Sequence, residues 1–160
     1  MILNDRDQRL LRLAIAVSAR SRGRGNHPFG AVLADADGEV LLEAENAVVS
    51  TRDVTGHAEM NLIRTASRTL PREVLARATV YSSTEPCAMC AGAIYWSGVG
   101  RLVYAMAEGD LLALTGDHPA NPTLDLGCRL VLRSGQRQIE VIGPALIEEA
   151  IAAHEGFWDR

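Results

Sequence analysis

The chain has no lysine: all 16 of its basic side chains are arginine, a bias of composition that carries no functional reading. Cysteine is scarce too. Cys87, Cys90 and Cys128 are its only three, too few and odd in number for a disulfide framework. There is no basic excess. Twenty acidic against 16 basic side chains leave a net charge of −4, which argues against nucleic acid or a membrane surface as partner, since both are held mainly by counterion-releasing basic patches. The longest uncharged run lies between Glu85 and Arg101, short of the roughly 20 residues a membrane-spanning helix needs. Asp5, Asp7 and Arg12 interrupt the N-terminal stretch, which is not the pattern of a secretory signal. The expected address is a reducing cytoplasm. Internal repeats, low-complexity tracts and a Pro/Gly/Ser-rich linker are also missing.

What is there is one domain's worth of chain, 160 residues with 48% apolar and 22% charged side chains, read as a single domain over 1–160. Residues 5–22 show an amphipathic helical stripe (Leu10, Leu13, Ala14, Val17), followed by a loop at 21–26. Phe29 to Leu33 and Glu39 to Val49 read as strands joined by a two-residue Asp37-Gly38 hairpin. A helix is expected over 57–69, ended before Pro71, then a strand over 78–82. A second helix is expected over 87–96, with Pro86 at its start, where a missing N–H costs nothing. Strands over 101–105 and 138–142 and a helix over 146–153 complete the pattern. Periodicity does not decide the apolar run 126–132, and the second half of 109–127 reads as loop. Strands alternating with helices suggest an α/β sandwich, and the opening hairpin makes its sheet mixed.

The chemistry-bearing residues are His57-Ala58-Glu59 and Pro86-Cys87-Ala88-Met89-Cys90. Side chains three apart on a helix share a face, and a helix N-terminus favours thiolate over thiol. Two thiolates and a neutral imidazole make three zinc ligands, leaving a fourth position for water, as in catalytic rather than structural zinc sites. Glu59 beside that water is a candidate proton shuttle. Spacing alone does not place it there, because positions two apart on a regular helix point roughly opposite ways. Other readings compete. A redox CxxC pair is expected just after the first strand, not this far downstream. A closed structural zinc knuckle needs a fourth ligand, for which Cys128, His118 or His154 would serve.

An HxE followed at this distance by PCxxC is the zinc nucleobase deaminase signature. The chain resembles the cytidine-deaminase-like superfamily, and most closely the branch holding bacterial guanine deaminase, tRNA adenosine deaminase and fungal cytosine deaminase. The likeness runs from about Leu10 to Ala105. It is carried by Pro28-Phe29-Gly30-Ala31-Val32, Asn46, His57-Ala58-Glu59 and Thr84 through Trp96 (TEPCAMCAGAIYW). The resemblance implies a three-layer α/β/α sandwich around a mixed five-stranded sheet. It implies one zinc ion per chain on His57, Cys87 and Cys90, with Glu59 as proton shuttle. It sets Asn46 and the Ala58 backbone N–H against the substrate ring, and Phe29 as a stacking wall. It further implies a homodimer, for which an exposed apolar helix near Ile94–Trp96 would suit.

The expected reaction is hydrolytic deamination of a small-molecule base. The resemblance suggests guanine first, with isoguanine-like purines, triazines such as ammeline and cytosine-type rings open. The tail is acidic and carries the aromatic pair Phe157 and Trp158, unlike the arginine-rich end of the tRNA-editing enzymes and similar to the aromatic segment that lids the pocket of free-base deaminases. Arg20, Arg22 and Arg24 are the residues an RNA-editing reading would use for phosphate. In guanine deaminase a carboxylate from the loop after the fourth strand reads the purine. Here that region offers Glu108, Asp110, Asp117 and His118, of which Asp117 and His118 are the substrate-binding candidates. His27 and His154 are further pocket candidates.

Overall fold

The computed structural model describes residues 3–159. It opens with helix α1 (Asp5–Gly23), whose start is closed by the Asn4 side chain accepting from the Asp7 amide at 2.8 Å. Asp5 and Asp7 lie in its first turn and Arg20 and Arg22 in its last, each matching the sign of the helix dipole. The hairpin β1 (Gly30–Ala34) and β2 (Val40–Glu45) follows, then α2 (Val48–Thr51), α3 (Ala58–Thr69), α4 (Arg72–Arg77) and β3 (Thr79–Thr84). The chain continues through α5 (Ala88–Ser97), β4 (Arg101–Met106), α6 (Glu108–Thr115), α7 (Cys128–Arg133), β5 (Glu140–Ile142) and α8 (Ile147–Ala152).

The five strands form one mixed sheet in the order β2-β1-β3-β4-β5. β1 runs antiparallel to both β2 and β3, whereas β3, β4 and β5 are parallel. Side chains alternate across it with a period of two. Ala31, Leu33, Val80, Leu102 and Tyr104 pack with Leu62, Ile94 and Leu132 on one face. Val32, Tyr81, Val103 and Ala105 pack with Leu10, Val17 and Ala150 on the other. This is the three-layer α/β/α sandwich. The parity also sends Ser82 and Thr84, two and four residues after Val80, to the face that carries α3 and α5.

One buried ionic group ties the layers. Arg101 makes a two-pronged contact with Asp7, at 2.7 and 2.8 Å, and the Tyr81 hydroxyl donates to the same carboxylate at 2.8 Å. Arg101 chiefly, with help from Tyr81, holds the Asp7 carboxyl below its ordinary value against the opposing effect of burial. Close approach elsewhere depends on glycine. A Cβ on Gly30 would lie 2.5 Å from the Ser18 nitrogen and 2.6 Å from the Ala14 oxygen. Gly30→Ala therefore pushes α1 off the sheet. The expected cost is about 1–3 kcal/mol, read as a lower thermal midpoint with zinc content unchanged.

Three features differ from the sequence reading, and one point it left open is decided. The hairpin loop is longer than two residues: Asp35 accepts from the Gly38 amide across a turn, and Gly38 takes φ +88 before β2 begins. β2 stops at Glu45 rather than Val49, because the Asn46 side chain accepts from the Val48 amide and turns the chain into α2. The undecided run 126–132 is mostly helical, as α7. Of the stretch Ile94–Trp96, only Trp96 is exposed, at 84%, while Ile94 lies wholly in the core. Among the described residues no helix is long and apolar enough to cross a membrane.

Candidate active site

Two helix starts meet at the end of the sheet where the parallel strands finish. His57 is the N-cap of α3 and Cys87 the N-cap of α5, both in extended backbone. Cys90, three residues on, turns onto the same face. The His57 Nδ1 lies 3.6 Å from the Cys87 sulfur and 3.5 Å from that of Cys90. The three candidate ligand atoms all fall within 4.8 Å of one another, and no further His, Cys or carboxylate joins them among the described residues. Cys128, His118 and His154 thus do not complete a four-ligand knuckle. The donor set suits zinc, which takes thiolate and imidazole together. Hydrogen bonds from the Cys90 thiol and the His57 ring draw Cys87 down to about 4. Cys90, as the donor and as a buried group, is pushed the other way.

The position of Glu59 resolves the spacing problem. His57 precedes the helix, so its side chain does not follow the helical period. Glu59, two residues later, turns inward and is buried. Its Oε1 accepts from the Ser82 hydroxyl at 2.8 Å, and burial pushes its carboxyl above the ordinary range. His57, Glu59 and Cys87 line a cavity of 340 Å³, together with Phe29, Asn46 and Glu108. A hollow of 370 Å³ elsewhere, between Arg129 and the segment 141–146, contains none of these groups.

The remaining sequence candidates divide. Phe29 and Asn46 line the cavity. The Asn46 Oδ1 accepts from the Val48 amide at 3.0 Å, which leaves its Nδ2 as the end without a protein acceptor among the described residues. Ala58 is buried as the first residue of α3, where helix amides have no intrahelical acceptor. Phe157 and Trp158 are not part of the lining. Trp158 is buried behind Phe29, with its Nε1–H donating to the His154 Nδ1 at 3.0 Å. His118 packs its ring 5.3 Å from Trp158 and accepts from the Ala120 amide, outside the lining. Asp117 is exposed and away from the cavity.

Of the residues offered after β4, Glu108 lines the cavity, whereas Asp110, Asp117 and His118 do not. Glu108 is 8% exposed and has no ion-pair partner among the described residues. Burial first, then the neighbouring Cys87 and Glu85, pushes its carboxyl up to about 7. Its signal was positional: it follows the C-terminal end of β4, where ligands of α/β sheets bind. Glu85 holds that corner, accepting from the Glu108 amide at 3.1 Å and the Cys128 amide at 2.8 Å. Thr84, also in the lining, has a buried hydroxyl without a hydrogen-bond partner among the described residues.

A His-Cys-Cys metal centre with a buried glutamate beside it, on two helix starts over a mixed sheet, defines the zinc-type deaminase class. Residues 4–106 match the cytidine and deoxycytidylate deaminase zinc-binding region, and the chain belongs to that family of hydrolytic enzymes. A probable cytosine deaminase of Schizosaccharomyces pombe is 41% identical over 157 residues, 98% of this chain and 95% of that protein. The likeness to it therefore continues well past Ala105. A tRNA-specific adenosine deaminase of Haemophilus influenzae is 31% identical over 126 residues, 75% of this chain and 73% of that one. The solved structure of guanine deaminase from Nitrosomonas europaea superposes with a TM-score of 0.80, at 23% identity, over 100% of this chain and 87% of that one. It shows the shared fold.

Proposed function

We propose that the protein hydrolyses the exocyclic amino group of a free nucleobase or a related amino-heterocycle, releasing ammonia. The observation that carries this reading is the lining of the cavity. It holds Glu59, Glu85 and Glu108 and no arginine, so it suits a neutral ring with N–H donors and opposes a phosphate. The arginines an RNA reading would need are engaged elsewhere. Arg20 pairs with Glu43 and Glu45, Arg24 with Glu45, and Arg22 with the carbonyls of Ala153 and Glu155.

His57, Cys87 and Cys90 would hold the zinc ion, which when bound would supply the Lewis acidity that lowers the pKa of water to about 7. Glu59 takes a proton from the attacking water while the oxygen bonds to the amine-bearing ring carbon, and it passes that proton to the adjacent ring nitrogen. It then carries the second proton to the amino group. The C–N bond breaks, ammonia leaves and a ring carbonyl remains. The Ser82 hydroxyl keeps Glu59 in place through both transfers. The Asn46 Nδ2 and the Ala58 amide donate to ring acceptors, Glu108 accepts from a ring N–H or second amine, and Phe29 stacks. We expect the homodimer to use the Trp96 face.

Guanine is the first substrate to try, because Glu108 suits its N–H edge. Cytosine stands beside it because the relative that spans 98% of the chain is a probable cytosine deaminase. An ammonia-release panel over guanine, cytosine, isoguanine, ammeline, their nucleosides and tRNA tests the proposal, run on the wild type and on Glu108→Gln. Free bases should react and nucleosides and tRNA should not. Glu108→Gln should lower kcat/KM for guanine by about tenfold or more, the worth of a hydrogen bond to a charged group. A panel in which only nucleosides or tRNA react sinks the free-base reading.

A further inference from the structure

We propose that Arg22 is a positioning residue for substrate binding, acting through the C-terminal turn that backs the cavity wall. This rests on the reading that the cavity holds the substrate.

The wall facing the cavity includes Phe29 and His27. Behind it lies a plate of rings that does not touch the cavity. His154 packs 5.3 Å from Phe29, and Trp158 lies 5.5 Å from His27 and 6.2 Å from Phe29. Gly156, at φ +68, reverses the chain so that Trp158 returns onto His154, with ring planes 22° apart. The indole N–H donates to the His154 Nδ1, which fixes the stack.

This plate follows α8, a helix of six residues, too short to hold it by its own propensity. Arg22, in the last turn of α1, supplies a tether. Its Nη1 donates to the Ala153 oxygen at 3.0 Å and the Glu155 oxygen at 2.6 Å. Its guanidinium stands 5.5 Å over the Phe157 ring. Two charge-assisted bonds to carbonyls beyond the end of α8, with a cation over a ring, make one side chain the clamp on the turn. Glu59 is held by Ser82 on another element, so the clamp affects the wall and not the proton shuttle.

The test compares the wild type, Arg22→Ala and Arg22→Lys on whichever free base the wild type turns over. Trp158 emission is read in a Trp96→Phe background, which leaves one indole. In Arg22→Ala, KM should rise about tenfold or more, in line with lost charge-assisted contacts. Its kcat should stay within about twofold and its zinc content should not change, while Trp158 emission shifts to the red. Arg22→Lys keeps a charge and N–H donors but loses the planar guanidinium over Phe157, and it should recover part of the KM. An unchanged KM in Arg22→Ala overturns the proposal, whether or not the emission moves. So does a fall in kcat or zinc content with no selective rise in KM, which marks general damage. A wild type silent on every base sinks the deaminase reading instead, and the two failures are thereby distinct.

Discussion

Glu59→Ala is expected to keep its zinc and lose its turnover. The carboxylate is not one of the three ligand groups, which cluster without it, so elemental analysis should find one ion per chain in the variant as in the wild type. The loss in kcat should be about 10²–10⁴-fold, the range for removing a positioned acid–base group, and near its upper end because the same side chain serves two proton transfers. Glu59→Gln is the sharper comparison. It keeps the size of the side chain and an oxygen to accept from Ser82, but it takes up no proton. It should be as inactive as alanine. Ammonia release near the wild-type rate in either variant would remove Glu59 from the mechanism.

The second large effect is expected from the metal centre. Cys90→Ala takes away a buried sulfur that contributes to both the ligand set and the packing of α5. The variant should lose zinc and activity together. Thermal stability should fall as well, and the sign follows from linkage: an ion that binds the folded chain and not the unfolded one stabilises it by about 2.7 kcal/mol at a hundred times its Kd. For a domain of this size that is roughly 5–10 °C in Tm. Chelation of the wild type should reproduce the drop and added zinc should reverse it, whereas Cys90→Ala should not respond. An active, zinc-free Cys90→Ala would overturn the assignment of the centre.

Much of the fold was legible because its signals are local. The stripe of Leu10, Ala14 and Val17 marks α1, and the turn residues Asp37 and Gly38 mark the hairpin. Apolar runs bounded by polar or proline residues mark β3 and β4. The metal ligands were legible for a related reason, since His57, Cys87 and Cys90 are set by helix starts that leave a mark in the chain. What was not legible depended on contacts distant in sequence. Ala47-Val48-Val49 reads as a continuing strand, and only the Asn46 side chain bond to Val48 turns it into α2. α6 escaped because Gly109 and Asp110 at its start resemble loop chemistry. Asp117 and His118 were as plausible as Glu108 on residue type. What separates them is that Glu108 sits two residues beyond β4 and is held there by Glu85, 23 positions earlier in the chain. The tail shows the same limit. Its aromatic pair is plain in the chain, but the packing of Trp158 against Phe29 joins residues far apart in sequence, as does the bond from Arg22 to the Ala153 carbonyl, 131 positions away.

The borders of the sheet have a consequence for association. An unpaired border strand offers its amides and carbonyls as a template for a foreign strand. Here one border, β5, is only three residues long. The other, β2, carries Glu43 and Glu45, anchored by Arg20 from α1. Neither border therefore invites edge-to-edge growth into fibres.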